Sequence, residues 1–364
     1  MPRSVVSVLG DAGGAEALIP VLHELERRGE LKAVFAGGPA AQLLEQAAIE
    51  FAMVPNDPGA ALTGLEPSVL VTGTSWGGWA PELAFIKAAE GLQIPSLAVI
   101  DFWANYLARF IAPTGELVMP DRVAVPDESA RLEAIAEGIA GDRLVVTGNP
   151  HYEAVLARYG GFDQGERIRF RERVGVPRKA MVVFFASQPI AALYGDRLGY
   201  TEDQILATVH TALEQVAEWL GHPILLAVRP HPRQGEVTLP GSTPRVPVRL
   251  AAGEPALAWA MSSELVTGMT SAVLMQAAML GARVVSVQAG LDGPDHLPGN
   301  RLGITQSAYT VAEVAPALYR ALATPAHLGS GRALQRMRAT IEGATARVLD
   351  AIAGVGTGSL TEVK

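Results

Sequence analysis

Short, predominantly apolar runs alternate with longer segments of helical period along most of this chain, and that alternation restricts its fold more than any other feature. In the first half the apolar runs lie at 5–9, 31–36, 51–54, 69–72, 96–100, 122–125 and 144–147, with helical segments such as 14–28 and 81–91 between them. Strands with no polar alternation belong to parallel sheets covered by helices on both faces. The pattern therefore predicts βαβ units wound into a doubly wound α/β domain. The second half repeats it, with strands near 181–185, 224–228, 246–250, 265–266 and 284–287 and helices near 203–220, 254–261, 271–280 and 311–323. The stretch 152–176 is polar, charged and interrupted by Gly160, Gly161 and Gly165, as a domain boundary would be. Two Rossmann-like domains, 1–165 and 176–325, facing a central cleft are expected. An amphipathic segment at 332–353 follows them, ending in a glycine-rich tail at 354–358 that is expected to fray.

Composition removes several classes of function. The 364 residues include 29 Lys and Arg against 37 Asp and Glu, a net charge of -8, so there is no electrostatic footprint for duplex nucleic acid. With 49% apolar residues and only 18% charged ones, the chain buries a core and is not disordered. It has no cysteine, which excludes disulfides, thiolate metal sites and a cysteine nucleophile, and fits a reducing, cytoplasmic compartment. The N-terminal residues run directly into the first strand rather than into a signal peptide, and no apolar run is long and clean enough to predict a membrane span. No two histidines stand at His-x-x-x-His spacing, so no metal site is expected.

In doubly wound sheets ligands sit beyond the carboxyl ends of the strands, which directs attention to the residues just after each strand. After the first comes Gly10-Asp11-Ala12-Gly13-Gly14-Ala15-Glu16, a glycine-rich turn opening a helix whose amides suit an anion or a sugar, with Asp11 equally readable as its cap. After the fourth comes Thr72-Gly73-Thr74-Ser75-Trp76-Gly77-Gly78-Trp79, small residues and two indoles suited either to stacking on a sugar or to packing. Glu82, at the head of the next helix, is read as facing the cleft. After the fifth stands Asp101, placed to act as a base or as a cap, with Arg109 within reach as its partner.

In the second half, Arg229-Pro230-His231-Pro232-Arg233 concentrates positive charge in an acidic chain. Guanidinium forks bind phosphate oxygens bidentately, so a diphosphate is the expected guest. Thr270 and Ser271 open the helix at 271–280, an anion site in the same α/β unit. Gln276 on that helix is placed for a ribose, and Gly281 closes it.

Over residues 180–325 these motifs resemble the nucleotide-binding domain of the GT-B glycosyltransferase superfamily. Arg229 to Arg233 and the run from Gly268 to Gly281 are similar to the phosphate-binding elements of bacterial sialyltransferases and of CDP-glycerol or polysaccharide-type transferases. The helix also resembles that of UDP-N-acetylglucosamine 2-epimerases, which share the fold. Most relatives carry a Glu where Gln276 stands. The resemblance implies a nucleotide-activated sugar donor on the C-terminal domain, held by Arg229, His231, Arg233, Thr270, Ser271 and Gln276. It implies a base on the N-terminal domain, Asp11, Glu16 or Asp101, and a C-terminal helix at 331–353 that crosses back to that domain. The implied activity is transfer of a sugar or similar unit to an acceptor in polysaccharide or glycoconjugate synthesis. There is no Asp-x-Asp motif, so neither metal nor cofactor is expected. Epimerisation or hydrolysis of the nucleotide sugar is the alternative, set second because Asp101-Phe102-Trp103-Ala104-Asn105-Tyr106 stands where those epimerases carry a His-x-Glu-Ala-Gly-type motif. A non-catalytic nucleotide-binding or partner subunit is the third. The acceptor, the donor's base and sugar, the stereochemistry and the oligomeric state stay open, and peripheral membrane association is compatible with this reading.

Overall fold

The computed structural model describes residues 3–356 apart from 77, 232, 233, 236 and 325–330. The chain forms two compact units, one of residues 1–155 with 339–364 and one of residues 156–338. The first unit is built in the order β1 (Val5–Leu9), α1 (Ala12–Arg27), β2 (Leu31–Ala36), α2 (Gly38–Gln46), β3 (Ala52–Met53), α3 (Pro58–Leu65), β4 (Val69–Thr72), α4 (Pro81–Gly91), β5 (Ser96–Val99), β6 (Arg122–Val125), α5 (Glu128–Ala136), β7 (Leu144–Val146) and α6 (Pro150–Tyr159). Its strands form one parallel sheet in the order β3-β2-β1-β4-β5-β6-β7. β1, β4 and β5 are buried at every position, which is why their sequences are unbroken Val, Leu, Ala, Ser and Thr.

The second unit contains α7 (Gln164–Arg173), β8 (Met181–Ala186), α8 (Ile190–Tyr194), α9 (Glu202–Leu220), β9 (Ile224–Arg229), β10 (Val248–Leu250), α10 (Ala256–Met261), β11 (Leu265–Gly268), α11 (Ala272–Met279), β12 (Val284–Val287), α12 (Pro298–Arg301), β13 (Gln306–Ala308) and α13 (Val311–Ala323). Its parallel sheet runs β10-β9-β8-β11-β12-β13. In each sheet the strand order reverses beside the first strand. β1 lies between β2 and β4, and β8 lies between β9 and β11. These are the topological switch points, where the loops leaving neighbouring strands part in opposite directions and leave room for a ligand.

The segment expected to be one helix at 332–353 is two, α14 (Gly331–Ile341) and α15 (Ala344–Gly354), separated at Gly343 with φ +78°. α15 supplies Val348, Leu349, Ala351 and Ile352 to the core of the first unit. The run expected as a strand at 51–54 pairs only through Ala52 and Met53, both exposed at the sheet edge. Among the described residues no helix is long and apolar enough to cross a membrane.

The polar stretch at 152–176 is not a loose linker. Asp163 and Glu166 form a capping box that starts α7. Arg171 on that helix is 3% exposed and donates to the carbonyls of Ser262 at 2.7 Å, Ala180 at 2.9 Å and Arg178 at 3.1 Å, and to Glu264 at 2.9 Å. Glu264 in turn accepts the Val182 N–H at 2.6 Å, tying the start of β8 to the start of β11. Replacing Arg171 with Met should leave the carbonyls of Ser262, Ala180 and Arg178 without this donor and Glu264 with only Arg167 and the Val182 N–H as partners, and cost about 3 kcal/mol in urea unfolding followed by circular dichroism.

Candidate functional site

In the first unit β1 ends at Leu9, and the turn that follows is held from below. The Gly10 N–H donates to Glu82 Oε1 at 2.7 Å and the Ser75 hydroxyl donates to the same oxygen at 2.9 Å. Glu82 is only 2% exposed, Oε2 has no hydrogen-bond partner, and burial raises its pKa. The sequence reading placed Glu82 facing the cleft. The structure instead buries it beneath the turn, where the Gly10 and Ser75 donors converge on Oε1 and only partly offset the cost of burial.

Asp11 caps α1, its Oδ1 accepting the Ala12 N–H at 2.8 Å. One turn on, Glu16 leaves α1 with its side chain 43% exposed, and its Oε2 lies 4.0 Å from His151 Nε2. Burial, with the Asp101 carboxylate as a second cause, pushes Glu16 up from its usual range to about 7. Burial also pulls His151 down to about 4, against the attraction of Asp101. His151 is therefore neutral at pH 7, and the 4.0 Å approach is neither an ion pair nor a hydrogen bond. It sets a neutral imidazole beside a carboxyl group that exchanges its proton near neutrality.

Asp101 stands just beyond β5, where its side chain is pinned on two sides. Arg109, 8% exposed, donates from Nη1 to Asp101 Oδ1 at 2.6 Å and to Thr74 Oγ1 at 2.8 Å, linking the ends of β4 and β5. On the other side Gly13 is so close that a Cβ there would stand 2.0 Å from Asp101 Oδ2. Gly14 likewise meets Gly73, where a Cβ would be 2.9 Å from the Gly14 Cα. Beyond β7, Asn149 donates from Nδ2 to the Asp101 carbonyl at 2.7 Å and accepts the His151 N–H at 2.9 Å. Thus Glu16, Asp101 and His151 are brought together from the ends of β1, β5 and β7, whereas Asp11 acts as a helix cap.

In the second unit the residues singled out in sequence lie at the ends of β9 and β11, the strands flanking β8. Arg229 donates from Nη1 to the Ala251 carbonyl at 2.8 Å, and its own carbonyl accepts the Ser187 N–H at 2.9 Å. His231 and Gln234 close a small turn through His231 N–H to Gln234 Oε1 at 3.2 Å and Gln234 N–H to the His231 carbonyl at 2.8 Å. Arg233 lies outside the described residues. Gln188 crosses the switch point, its Oε1 accepting from Thr270 N at 2.8 Å and Oγ1 at 3.2 Å. The Thr270 amide is thereby committed to protein, and the helix-terminal donors left for an anion begin beyond it. Ser271 caps α11 by accepting the Val273 N–H at 3.3 Å, and Gln276 is buried on the same helix. Among the described residues no cluster of His, Asp and Glu is arranged to hold a metal ion.

Sequence reasoning missed His151, Asn149 and Gln188. The rule applied to β1, β4 and β5 would have found them, since Gly148-Asn149-Pro150-His151 follows β7 and Ser187-Gln188 follows β8.

The sequence matches no family model and no curated protein. The fold does have counterparts among solved structures. The chain is similar to a UDP-GlcNAc 2-epimerase from Neisseria meningitidis bound to UDP-GlcNAc, with TM-score 0.63 and 13% identity over 96% of this chain and 99% of that one. It is similar to the glycosyltransferase of kitacinnamycin, with TM-score 0.60 and 17% identity over 97% and 98% of the two chains. MurG of Acinetobacter baumannii aligns with TM-score 0.57 and 15% identity over 97% of this chain and 100% of its own. These are GT-B-type folds, and the two parallel-sheet units share that architecture.

Two outcomes are expected at this site. Gly13→Ala should force Asp101 aside and lower stability by about 1–3 kcal/mol, whereas Gly91→Ala, where nothing lies within 4 Å, should not, as read by thermal melts. The folded-state pKa of Glu16 is raised, so its contribution to stability is present below about 4.5 and is lost as pH rises through about 7. Glu16→Gln should therefore melt higher than the parent at pH 8 and no higher at pH 4.5, and equal melting at both would remove the burial argument.

Proposed function

We propose that this protein transfers a glycosyl unit from a nucleotide-activated sugar to a hydroxyl acceptor. In this reading the second unit holds the nucleotide and the first supplies the base. The observation that carries the reading is the meeting of Glu16, Asp101 and His151 at the carboxyl ends of β1, β5 and β7, where burial and the Asp101 charge push Glu16 up to about 7. A base with that pKa accepts a proton from an acceptor hydroxyl as the acceptor oxygen bonds to the anomeric carbon. The bond from that carbon to the phosphate oxygen breaks, and the nucleotide leaves with its negative charge. Arg229 and His231, with the hydroxyls and amides around Thr270 and Ser271, are the groups proposed to stabilise that charge. Gln276 is proposed for the ribose, and Arg233 remains part of the proposed set. Burial first, and then the charge of Asp101 held by Arg109, raises Glu16.

The same-fold epimerase from Neisseria meningitidis is bound to UDP-GlcNAc, so 2-epimerisation of a nucleotide sugar is the competing reading. The Asp101–Arg109 pair favours transfer, because this carboxylate is locked into an ion pair where those enzymes are expected to carry a His-x-Glu-Ala-Gly-type motif. Incubating the protein with UDP-, GDP- and CDP-sugars, with and without acceptors, separates the two. Products that require an acceptor support transfer, and conversion of donor alone to a new nucleotide sugar replaces it with epimerisation.

With the active donor, log kcat should rise with pH and level off above about 7 as Glu16 loses its proton. Glu16→Gln should lower kcat by roughly 10²–10⁴ and abolish that limb. For the nucleotide site, His231→Ala and Ser271→Ala should each weaken nucleotide binding in a calorimetric titration, and unchanged affinity in both would remove the phosphate assignment.

A further inference from the structure

Tyr106, Tyr152 and Tyr200 are buried, and two of them give their hydroxyls to protein. Tyr106 donates to Glu133 Oε2 at 2.8 Å, and Tyr200 reaches Gln288 Oε1 at 3.4 Å. Tyr152 is 3% exposed, yet no described residue takes up its hydroxyl. Buried phenols ordinarily find a partner, so an unused one calls for a ligand or a reason. The oxygen is not sealed either. Among the described residues of the first unit, the side-chain polar atoms shut away from solvent with no partner belong to Ser4, Ser7, Thr72 and Glu82.

The rest of the side chain is enclosed by other rings. It stacks on Trp103, with centroids 5.7 Å apart and planes at 16°, and packs against the His151 ring at 5.7 Å and 54°. Trp103 donates from Nε1 to Asp127 Oδ2 at 2.7 Å, the carboxylate that caps α5. The Tyr152 N–H donates to the Asn149 carbonyl at 3.1 Å, and Asn149 also bonds the Asp101 carbonyl and the His151 N–H. The phenol therefore stands in the first turn of α6 beside His151, whose Nε2 is 4.0 Å from Glu16. Burial first, and then the Asp101 and Glu16 carboxylates, push its pKa up. Both carboxylates are thus within electrostatic reach of the oxygen, and the phenol keeps its proton.

We propose that Tyr152 is a further substrate-contacting residue, whose hydroxyl donates a hydrogen bond to the hydroxyl oxygen that gives its proton to Glu16. Calling that hydroxyl the acceptor rests on the transferase reading. An alcohol oxygen carries two lone pairs, so it accepts from Tyr152 with one and attacks with the other. A neutral amine has a single pair, which a bond from Tyr152 would occupy. The phenol thereby selects an oxygen nucleophile over a nitrogen one. A role as base or nucleophile would need the phenolate, which burial and two carboxylates oppose. Packing on Trp103 needs only the ring, which phenylalanine supplies.

The test is NMR of the full chain carrying tyrosine labelled with carbon-13 at Cζ, with methyl glucoside, methyl galactoside, methyl N-acetylglucosaminide and glycerol as probes. The Tyr152 resonance, identified by its absence in Tyr152→Phe, should shift with at least one probe. The affinity for that probe should fall about two- to tenfold in Tyr152→Phe, the net worth of one neutral hydrogen bond, while the variant melts with the parent. Tyr106→Phe, which loses the bond to Glu133, should melt lower and bind the probe as the parent does. With an acceptor active in the transfer assay, Tyr152→Phe should raise the acceptor KM by the same factor and leave the donor KM and the pH limb near 7 in place. No shift with any probe, or an affinity unchanged in Tyr152→Phe, overturns the contact. If the shift is seen but the parent converts donor alone, the transfer reading falls and the contact stands.

Discussion

The first unit is organised around one crowded point, where the Asp101 carboxylate is caught between the Arg109 guanidinium and the bare Cα of Gly13. The close approach lets the start of α1 pack directly on the loop beyond β5, and it is open only to glycine. Arg109 extends the contact to Thr74, and Asn149 extends it to the loop beyond β7. Four strand ends are thereby locked to one another by a buried ion pair and its hydrogen bonds. The cost of taking these charges from water is offset by their mutual attraction and by the guanidinium's hydrogen bonds to Thr74 and the Ala104 carbonyl. The tuning of Glu16 depends on this point, since Asp101 is the neighbouring charge that adds to its burial.

Burial acts on the two ionisable side chains beside it in opposite senses. It disfavours the charged form of each, so the carboxyl of Glu16 moves up and the imidazole of His151 moves down, and both favour neutrality at the same place. The second unit is built differently. Its strand ends are joined by amide and hydroxyl groups, Gln188 to Thr270 at the switch point and Gln288, Asn300 and Tyr309 around Asp295. Those three donors, with the Leu297 amide, outweigh burial and keep Asp295 below the ordinary carboxylate range. One unit carries proton-exchanging groups, while the other holds its loops with neutral donors beside one well-paired carboxylate.

Much of the fold was legible in residue order. β1, β2, β4, β6 and β12 match the apolar runs at 5–9, 31–36, 69–72, 122–125 and 284–287 residue for residue, because strands covered on both faces are largely apolar, with Lys32 and Arg122 at the less buried starts of β2 and β6. β13, the three residues Gln306-Ser307-Ala308, gave no such signal, since an edge strand half in contact with solvent tolerates polar side chains. α7 was hidden for the opposite reason. Its helix is polar, and what anchors it is Arg171, buried by carbonyl partners from residues far along the chain. A charged residue in a polar stretch carries no local mark of burial. The site was partly legible in the same way. Arg109 could be paired with Asp101 from their spacing, but Glu82 could not be recognised as the buried acceptor of Gly10.

By itself the sequence determined the two parallel α/β units and the strand ends that carry polar residues, because local periodicity acts within a few residues along the chain, and it offered the Asp11 cap as one of two readings. The tertiary structure alone decided which carboxylate is tuned and which is buried. A pKa depends on the charges and the solvent excluded around a group. For Glu16, His151 and Glu82 these come from loops dozens of residues away, brought to one edge only when the sheet closes in its order.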